Sequence, residues 1–416
     1  MSFESFGLAS TILKGIQDAG YQVPTPIQQK AIPVLLQGRD IIGCAQTGTG
    51  KTAAFVLPIL HRLKPEHRLR ALILVPTREL ALQVGESIRT YGRHTGVRSV
   101  TVYGGVKIEP QTKALRQGVD MVVATPGRLL DHMERGNLDF SALTTLVLDE
   151  ADRMLDMGFI PDIRRILRKL PRDRHTMLFS ATMPLEIRSL AREMLRDPMT
   201  VEATPPSTAA DGITHRVFPV PAHLKGKLLL NLLEREKIDS ALIFVRTRRG
   251  VEKLARLLQG KGHRIARLHS DRTQGQREKA LSDFRRGKSQ ILVATNIAAR
   301  GLDIDGISHV FSYEVPDHPD DYIHRAGRTA RAGDTGDAVI LMSPEEADAL
   351  KAIERHLNGA LILAMHPSFN YTEPPPAGAP HRHRSAPAPA PIEVKPARPR
   401  APFGRRKREE LRRIKA

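Results

Sequence analysis

The sequence is short of the features that mark secreted or membrane proteins. Of its 416 residues, one is cysteine and none is tryptophan. A single cysteine excludes an internal disulfide framework and is typical of a reducing compartment, so Cys44 is interpreted as a packed thiol. No apolar run approaches the ~18 residues of a membrane span, and the first residues, MSFESFGLAS, lack a secretory signal pattern. We expect a cytoplasmic protein with no membrane segment.

Acidic residues are also scarce relative to basic ones. The chain has 64 Lys and Arg against 45 Asp and Glu, which gives a formal charge of +19 and a pI near 10.3. Such a charge favours a polyanionic partner, most often nucleic acid; a solvated basic surface without such a partner is the alternative. The length allows two or three domains, and the hydrophobic content of 41% is ordinary for packed cores.

A glycine-rich loop is the first motif that carries chemistry. Residues 45–52 (AQTGTGKT) follow the apolar run 40–44, and a helix is predicted to begin near Lys51. Glycine permits the tight turn that points successive N–H groups at a polyphosphate. Lysine supplies a cation to the β- and γ-phosphates, and the threonine hydroxyl is placed to ligate Mg²⁺. The pattern usually begins with glycine rather than Ala45, and a chance match in a flexible loop is the alternative. The nucleotide-binding residues predicted here are Gly48, Thr49, Gly50, Lys51 and Thr52.

Short apolar runs alternate with helix-like stretches along most of the chain. This alternation predicts parallel sheets that are covered by helices on both faces. Open sheets of this kind bind ligands at the carboxyl ends of their strands, so polar residues at those ends should line one crevice. The predicted strands are 40–44, 71–75, 121–124, 143–148 and 176–179, and then 241–245, 264–268, 291–294, 310–313 and 338–342.

Composition divides the chain into four segments. Residues 1–203 are predicted to form a nucleotide-binding domain, 204–212 a linker of small residues and proline, and 213–365 a second α/β domain without a phosphate loop. Residues 366–416 carry +8 of the total charge and 11 of the 30 prolines. They cannot bury enough apolar surface to offset the entropy of ordering, which predicts a disordered basic tail that tethers nucleic acid. A solvated tail with no partner is the alternative.

Two adjacent acids follow the predicted strand 143–148. In a phosphate-loop ATPase, Asp149 would hold Mg²⁺ through water, and Glu150 would orient and deprotonate the attacking water. Two acids after a strand can instead cap a helix. The upstream phosphate loop favours the catalytic interpretation.

The order and wording of these motifs resemble the DEAD-box family of ATP-dependent RNA helicases. The matching segments cover residues 3 to about 331 in family order. The stretches GFIPDIRRILRKLP and LFSATMP are most similar to the bacterial RhlE-type branch. The resemblance implies two tandem RecA-like parallel-sheet domains, with ATP and Mg²⁺ as cofactors and RNA as partner. The segments are GYQVPTPIQ, AQTGTGKT, PTREL, GG, TPGR, DEAD, SAT, IFV, QGQR, ATNIAARGLDI and HRAGRTAR.

The segment before the phosphate loop resembles the family's adenine site. Gln28 matches the adenine reader, because a carboxamide can donate to one edge atom of the base and accept from its neighbour. The resemblance implies that Tyr21 stacks on the base and that Phe3 braces the segment. Ordinary core packing is the alternative for both aromatic side chains.

The second domain is implied to complete the ATP site. Asp303 matches the family's ribose contact, and Arg328 and Arg331 match arginine fingers for the γ-phosphate. A fixed guanidinium fork stabilises charge on the transferring phosphoryl group. Arg325 in the same motif is expected to make interdomain contacts. The residues implied to couple the phosphate state to domain closure are Ser180, Thr182 and His324.

The implied RNA contacts bind the backbone rather than the bases. Glycine allows close approach, and threonine and arginine can bond to phosphate and 2′-hydroxyl groups, so binding is expected to be independent of sequence. Ser270 and Ala330 stand where the family commonly has glycine, and neither change removes a charged group. The implied contacts are Pro76, Thr77, Arg78, Gly104, Gly105, Thr125, Pro126, Gly127 and Arg128, with Gln274, Arg277 and Thr295 from the second domain.

These assignments predict RNA-stimulated ATP hydrolysis coupled to local, non-processive unwinding or remodelling of RNA duplexes and ribonucleoproteins. Both ligands span both domains, so each should favour the closed state. A DNA-acting translocase of superfamily 2 and an ATP-gated RNA clamp or scaffold are the alternatives. Ribosomal subunits and the RNA-degradation machinery are candidate partners.

Overall fold

The first half of the chain folds around one parallel sheet. The computed structural model describes residues 2–45, 48–202, 212–235, 238–296, 307–329, 335–357 and 359–374. Cys44 ends the first strand half-buried, and burial raises the pKa of its thiol. The strands are β1 (Ile41–Cys44), β2 (Ala71–Leu74), β3 (Ser99–Val102), β4 (Met121–Ala124), β5 (Thr145–Leu148), β6 (His175–Ser180) and β7 (Met199–Glu202). They pair in the order β3-β4-β2-β5-β6-β1-β7.

Helices cover both faces of this sheet. Successive strand residues point to opposite faces, so Ile73 joins one apolar core while Leu72 and Leu74 join the other. The first core is closed by α1 (Ser10–Asp18), α2 (Pro26–Leu36), α3 (Lys51–Arg62) and α4 (Arg78–Tyr91). The second core is closed by α5 (Glu109–Arg116), α6 (Pro126–Glu134), α7 (Ala151–Asp156), α8 (Ile160–Leu167) and α9 (Leu185–Met194).

The second half folds around another parallel sheet of seven strands. The strands are β8 (Ile213–Pro219), β9 (Ala241–Phe244), β10 (Ile265–Leu268), β11 (Ile291–Ala294), β12 (His309–Ser312), β13 (Gly336–Met342) and β14 (Ile362–Leu363). They pair in the order β10-β11-β9-β12-β13-β8-β14. One face packs against α10 (Lys225–Arg235) and α11 (Arg248–Gln259), and the other against α12 (Gln274–Arg285), α13 (Pro319–Ala326) and α14 (Ala347–His356).

The predicted α/β class, with parallel sheets covered on both faces, is confirmed. Each predicted strand is found within two residues of its predicted bounds, and β4 and β11 begin and end where predicted. β3, β7, β8 and β14 have no counterpart among the predicted strands. β3, β7 and β14 lie at sheet edges, where partial exposure weakens the apolar signal, and β8 lies beside β14.

The predicted linker, apart from Gly212, and residues 375–416 of the predicted tail lie outside the described residues. Contacts with the second half continue past the predicted boundary at residue 365. Phe369 and Tyr371 pack against its core, and the backbone N–H of His366 donates to the Tyr371 hydroxyl at 2.8 Å. Among the described residues, no helix is long and apolar enough to cross a membrane.

Candidate active site and nucleic-acid cleft

The glycine-rich loop connects β1 to the first turn of α3. Gly50 has a left-handed φ of 92°, which glycine adopts without strain, and Lys51 begins the helix. Lys51 is 6% exposed, and its ammonium donates to the backbone carbonyl of Ala45 at 2.6 Å. The cation is therefore held inside the curve of the loop. Gly48 and Thr52 flank it in the described chain, and residues 46–47 lie outside that part.

Gln28 connects the segment before β1 to the phosphate loop. Thr25 and Gln28 form a capping box at the start of α2, in which Gln28 Oε1 accepts from the backbone N–H of Thr25 at 3.0 Å. Gln28 Nε2 donates to the carbonyl of Gly50 at 3.0 Å. Phe3 is 4% exposed and belongs to the core, whereas Tyr21 is 51% exposed and touches Tyr91 edge-on. Of the two aromatic side chains, only Tyr21 presents a face to solvent.

The acidic pair follows β5 as predicted and is buried. Glu150 has a left-handed backbone (φ 53°), an uncommon conformation for a residue with a side chain. Its carboxylate accepts from Arg153 Nη1 at 2.8 Å. Burial raises the pKa of Asp149 to about 7, although the positive charge of Lys51 opposes this rise. Burial alone would also raise the pKa of Glu150, yet that pKa is lowered. The charges that outweigh burial come from Arg153, Lys51 and Arg328.

Arg328 belongs to the second half of the chain, so its charge reaches the acidic pair from the other domain. It is 5% exposed and follows α13, while His324 lies half-buried on that helix. Arg325 donates to Asn296 Oδ1 at 2.9 Å and to Ser312 Oγ at 3.1 Å, and its guanidinium lies over the Phe244 ring. These three partners of Arg325 belong to its own domain, and the expected interdomain contact stays a prediction. Asp303 and Arg331 lie outside the described residues.

Asp152 joins the acidic segment to the end of β6. One carboxylate oxygen accepts from the backbone N–H groups of Ala181 (3.1 Å) and Thr182 (2.9 Å) and from the Thr182 hydroxyl (3.2 Å). The Ser180 hydroxyl accepts from the Asp152 N–H at 3.1 Å and donates to the Thr182 carbonyl at 2.7 Å. The structure therefore brings Ser180 and Thr182 together with the acidic segment. Sequence reasoning missed Asp152, although it is the last letter of the DEAD motif.

A cleft of about 940 Å³ lies between the two domains. Ten of the twelve predicted RNA contacts line it. Pro126 is instead buried at the start of α6, and Gln274 is buried with its amide bonded to Glu278 at 2.9 Å. The predicted residues in the lining are Pro76, Thr77, Arg78, Gly104, Gly105, Thr125, Gly127, Arg128, Arg277 and Thr295. Lining residues that were not predicted include Glu79, Met157, Phe159, Arg246, Thr247 and Arg248.

An ion pair crosses this cleft. The Arg277 guanidinium approaches Glu79 Oε1 with Nη2 at 2.6 Å and Nε at 2.8 Å, and both side chains are about nine-tenths buried. Glu79 lies at the start of α4 and Arg277 in the first turn of α12. The pair therefore connects the two domains directly. Sequence reasoning missed Glu79, because its partner is 198 positions away.

Two arginines of the first domain are fixed by their surroundings. The Arg78 guanidinium lies so close to Gly105 that a Cβ there would overlap it, and Gly105 also has a left-handed φ of 79°. Arg128 donates to Gln111 Oε1 at 3.3 Å and to the carbonyl of Val106 at 3.0 Å. Glycine at position 105 is thus required both by the backbone and by its arginine neighbour.

Gln111 is the centre of a buried network behind the cleft. Its Nε2 donates to the carbonyl of Tyr103 at 3.0 Å, and its Oε1 lies 3.2 Å from His132 Nε2. Asn137 Nδ2 lies 3.1 Å from His132 Nδ1, so Nδ1 accepts and Nε2 carries the proton. Burial lowers the pKa of His132, which agrees with the neutral ring. The network joins Tyr103, which precedes Gly104 and Gly105, to Arg128.

Known proteins similar to this chain define its family. The family model for DEAD/DEAH box helicases matches residues 25–190, and the model for the helicase conserved C-terminal domain matches residues 224–333. The DEAD-box ATP-dependent RNA helicase RhpA of Helicobacter pylori is 41% identical over 369 residues, which cover 89% of this chain and 75% of RhpA.

Solved structures match both halves of the chain. Dbp5 of S. cerevisiae bound to RNA and ADP BeF3 has a TM-score of 0.80 at 34% identity, covering 87% of this chain and 95% of Dbp5. A DEAD box protein from Methanococcus jannaschii scores 0.52 at 37% identity, covering 88% of this chain and 99% of its own. The higher score at lower identity indicates that the domains are arranged here as in the Dbp5 complex. The predicted pair of RecA-like domains is confirmed, and the chain belongs to the DEAD-box family of ATP-dependent RNA helicases, which are RNA-dependent ATPases.

Proposed function

We propose that ATP binds where the two domains of this helicase meet. The N–H groups of Gly48, Thr49 and Gly50 and the ammonium of Lys51 bind the phosphates. Gln28 reads the adenine edge and holds the loop through Gly50, while the exposed ring of Tyr21 stacks on the base. The observation that carries this proposal is the buried Arg328 of the second domain, whose charge acts on Glu150 of the first.

Mg²⁺ would be held by Asp149 and Thr52. This set fits the ion, because Mg²⁺ in nucleotide sites binds one or two carboxylates, substrate phosphates and several waters. The raised pKa of Asp149 reflects a buried carboxylate, and an adjacent cation would favour its ionised form. The bound ion would neutralise charge on the β- and γ-phosphate oxygens.

Glu150 orients the attacking water and takes its proton. Its lowered pKa keeps the carboxylate ionised at neutral pH, and Arg153 fixes its direction at 2.8 Å. Arg328 and Arg331 stabilise the charge that develops on the transferring phosphoryl group, and Asp303 contacts the ribose. The second domain thus supplies part of the catalytic site.

RNA lies in the 940 Å³ cleft and is bound through its backbone. Arginine, threonine and backbone N–H groups from both domains contact phosphate and 2′-hydroxyl groups, so binding is independent of sequence. Because ATP and RNA both bridge the domains, each stabilises the closed arrangement that the other needs. Ser180 and Thr182, through Asp152, and His324 on the facing domain couple the phosphate state to closure, and closure locally opens a short duplex.

Replacing Glu150 tests the catalytic assignment. Glu150→Gln keeps the size of the side chain but removes the base, so RNA-stimulated ATP hydrolysis should fall by about 10²- to 10⁴-fold while ATP and RNA still bind. The matched control is Glu193→Gln, which changes an exposed acid paired with Arg164 in the same domain and should leave the rate unchanged. A Glu150→Gln variant that hydrolyses ATP near the normal rate would exclude Glu150 as the base.

The cellular role is proposed from sequence resemblance. The segments GFIPDIRRILRKLP and LFSATMP support membership of the RhlE-type branch, and the single cysteine supports a cytoplasmic location. Ribosomal subunits or the RNA-degradation machinery are the proposed partners. Crosslinking and sequencing of the RNA that the Glu150→Gln variant traps in the cell tests this, because ribosomal RNA should dominate if ribosomal subunits are the target.

A further inference from the structure

One face of α11 carries three cations that the structure leaves uncompensated. Arg249, Lys253 and Arg256 are exposed, and their spacing of four and three residues places them on the same side of the helix. Among the described residues, none of the three side chains forms a hydrogen bond or an ion pair. Like charges at this spacing destabilise a helix, so packing within the domain gives no reason for the arrangement.

The one acid on this face is already neutralised. Glu252 accepts from Arg267 at 2.8 Å, from Arg272 at 2.7 Å and from His269 at 2.9 Å. These side chains come from β10 and the loop that follows it, so they hold Glu252 against the body of the domain. The positive charge of the three exposed side chains therefore faces outward without a balancing carboxylate.

This face continues the surface of the RNA cleft. It borders a pocket of about 610 Å³, which includes Arg248, and Arg248 also lines the interdomain cleft. Asp271 lines the pocket and is paired with Arg248, while the neighbouring Ser270 lines the cleft. An RNA strand that leaves the cleft at Arg248 would pass directly onto the exposed face of α11.

We propose that Arg249, Lys253 and Arg256, here called the α11 patch, bind the phosphate backbone of RNA that extends beyond the cleft. The side chains around the pocket offer charge and one histidine rather than aromatic faces for stacking, so contact is with phosphates and independent of sequence. The proposal rests on the RNA path proposed above, because the patch receives the strand that the cleft delivers. It adds an outer RNA site that the helicase motifs do not include.

Salt dependence with RNAs of two lengths tests the patch. The variant Arg249→Gln, Lys253→Gln, Arg256→Gln removes three cations, and the control Lys261→Gln, Arg286→Gln, Lys288→Gln removes three exposed cations from the loops that lead into β10 and β11. Binding of fluorescent single-stranded RNA of about 6 and about 16 nucleotides is measured by anisotropy over a range of salt, with a non-hydrolysable ATP analogue present. Thermal unfolding checks that both variants fold.

For the longer RNA, the plot of the logarithm of the binding constant against log salt should be shallower by about 2 for the patch variant. Each of the three lost phosphate contacts contributes roughly 0.7 to the slope on a single strand. For the shorter RNA, and for the control variant with either RNA, the slope should match that of the unchanged protein. An unchanged slope with the longer RNA would overturn the proposal, as would an equal loss with the shorter RNA or in the control. Failure of the unchanged protein to bind the shorter RNA would instead refute the cleft itself.

The alternative occupant of the α11 patch is an acidic protein partner. The patch variant and the control variant also test this alternative. Polyglutamate is the probe, titrated against the protein with the longer RNA present or absent. If the α11 patch binds RNA rather than protein, the patch variant and the control variant should bind polyglutamate with equally low affinity. Loss of polyglutamate binding in the patch variant, with RNA slopes unaltered, would assign the face to protein and overturn the RNA proposal.

Discussion

The two halves of the chain share one strand order. Counted from its own first strand, each sheet has the order 3-4-2-5-6-1-7. In each half, the residues after the second strand end in a threonine that caps the next helix: Thr77 accepts from the N–H of Leu80 at 3.3 Å, and Thr247 from that of Gly250 at 3.0 Å. Both threonines line the cleft between the domains, where RNA is proposed to bind. This edge of the fold is thus built twice in the same way.

The halves differ after their first strands. β1 leads into the glycine-rich loop and Lys51, whereas β8 leads into the turn VPAHL and Lys225. Both lysines begin a helix and are buried, at 6% and 3% exposed. Lys51 points into its loop, while Lys225 pairs with Glu346 at 2.6 Å. A shared topology therefore decides where a lysine lies, and the loop before it decides whether that lysine meets a ligand or an internal acid.

Replacing these two lysines should give the largest contrast. Lys51→Gln removes the cation that is proposed to bind the phosphates, so ATP hydrolysis should fall by about 10²-fold or more while stability is retained. Lys225→Gln breaks a buried charged hydrogen bond, so the free energy of unfolding should fall by about 2 kcal/mol with ATP affinity unchanged. Denaturant titration and nucleotide-binding assays measure the two effects. Equal loss of ATP affinity in both variants would contradict the comparison.

The next contrast lies within one motif of the second domain. Arg328→Ala should lower the RNA-stimulated rate constant by about 10³-fold, because it removes the guanidinium that is proposed to stabilise the phosphoryl group. Arg325→Ala should instead lower the stability of the second domain, since it removes the bonds to Asn296 and Ser312 and the contact with Phe244. Single-turnover hydrolysis and thermal unfolding separate these outcomes. A rate loss in Arg325→Ala matching that of Arg328→Ala, with the fold intact, would assign both arginines to catalysis.

A double-mutant cycle can decide what joins the halves. Glu79→Ala, Arg277→Ala and the double variant are compared by RNA affinity in the presence of an ATP analogue. If the ion pair stabilises closure, the coupling energy should be about 1 kcal/mol or more. Additive losses would mean that Arg277 acts only through RNA and that the pair does not contribute to closure.

The smallest expected difference between the two halves is in how much stability each loses at low pH. Burial lowers the pKa of His132 and His175 in the first half and of His215 in the second. A folded-state pKa below the unfolded value of 6.5 means that the unfolded chain binds more protons, so stability is lost as pH falls through about 6.5. As the pH is lowered, hydrogen exchange of the whole chain should show a steeper loss of amide protection in the first half than in the second. His132→Asn should reduce that loss without changing the second half; a steeper loss in the second half would contradict the assignment.

Local motifs could be predicted from the sequence because their chemistry lies in contiguous residues. The phosphate loop, the acid pair after β5 and the strands β4 and β11 all depend on neighbours within a few positions. β4 and β11 are buried along their whole length, so each leaves an uninterrupted apolar run.

Partners that are distant in sequence could not be predicted in this way. Asp152 reaches Thr182 across 30 positions, Gln111 reaches His132 across 21, and Glu79 reaches Arg277 across 198. Each of these bonds depends on how the sheets and domains pack. The bonds of Arg325 to Asn296 and Ser312 likewise join residues that are 29 and 13 positions apart, and its motif did not indicate them.

The apolar clusters of the two halves share no residue in the described chain: two clusters end at or before Val201, and the other three begin at or after Ile213. Each half therefore completes its own apolar core, so we expect each half to fold as a separate fragment. Labelled with a donor and an acceptor fluorophore, the two fragments would form a sensor that assembles when ATP and RNA are present together. The same separation makes the segment between the cores a site for inserting a reporter domain.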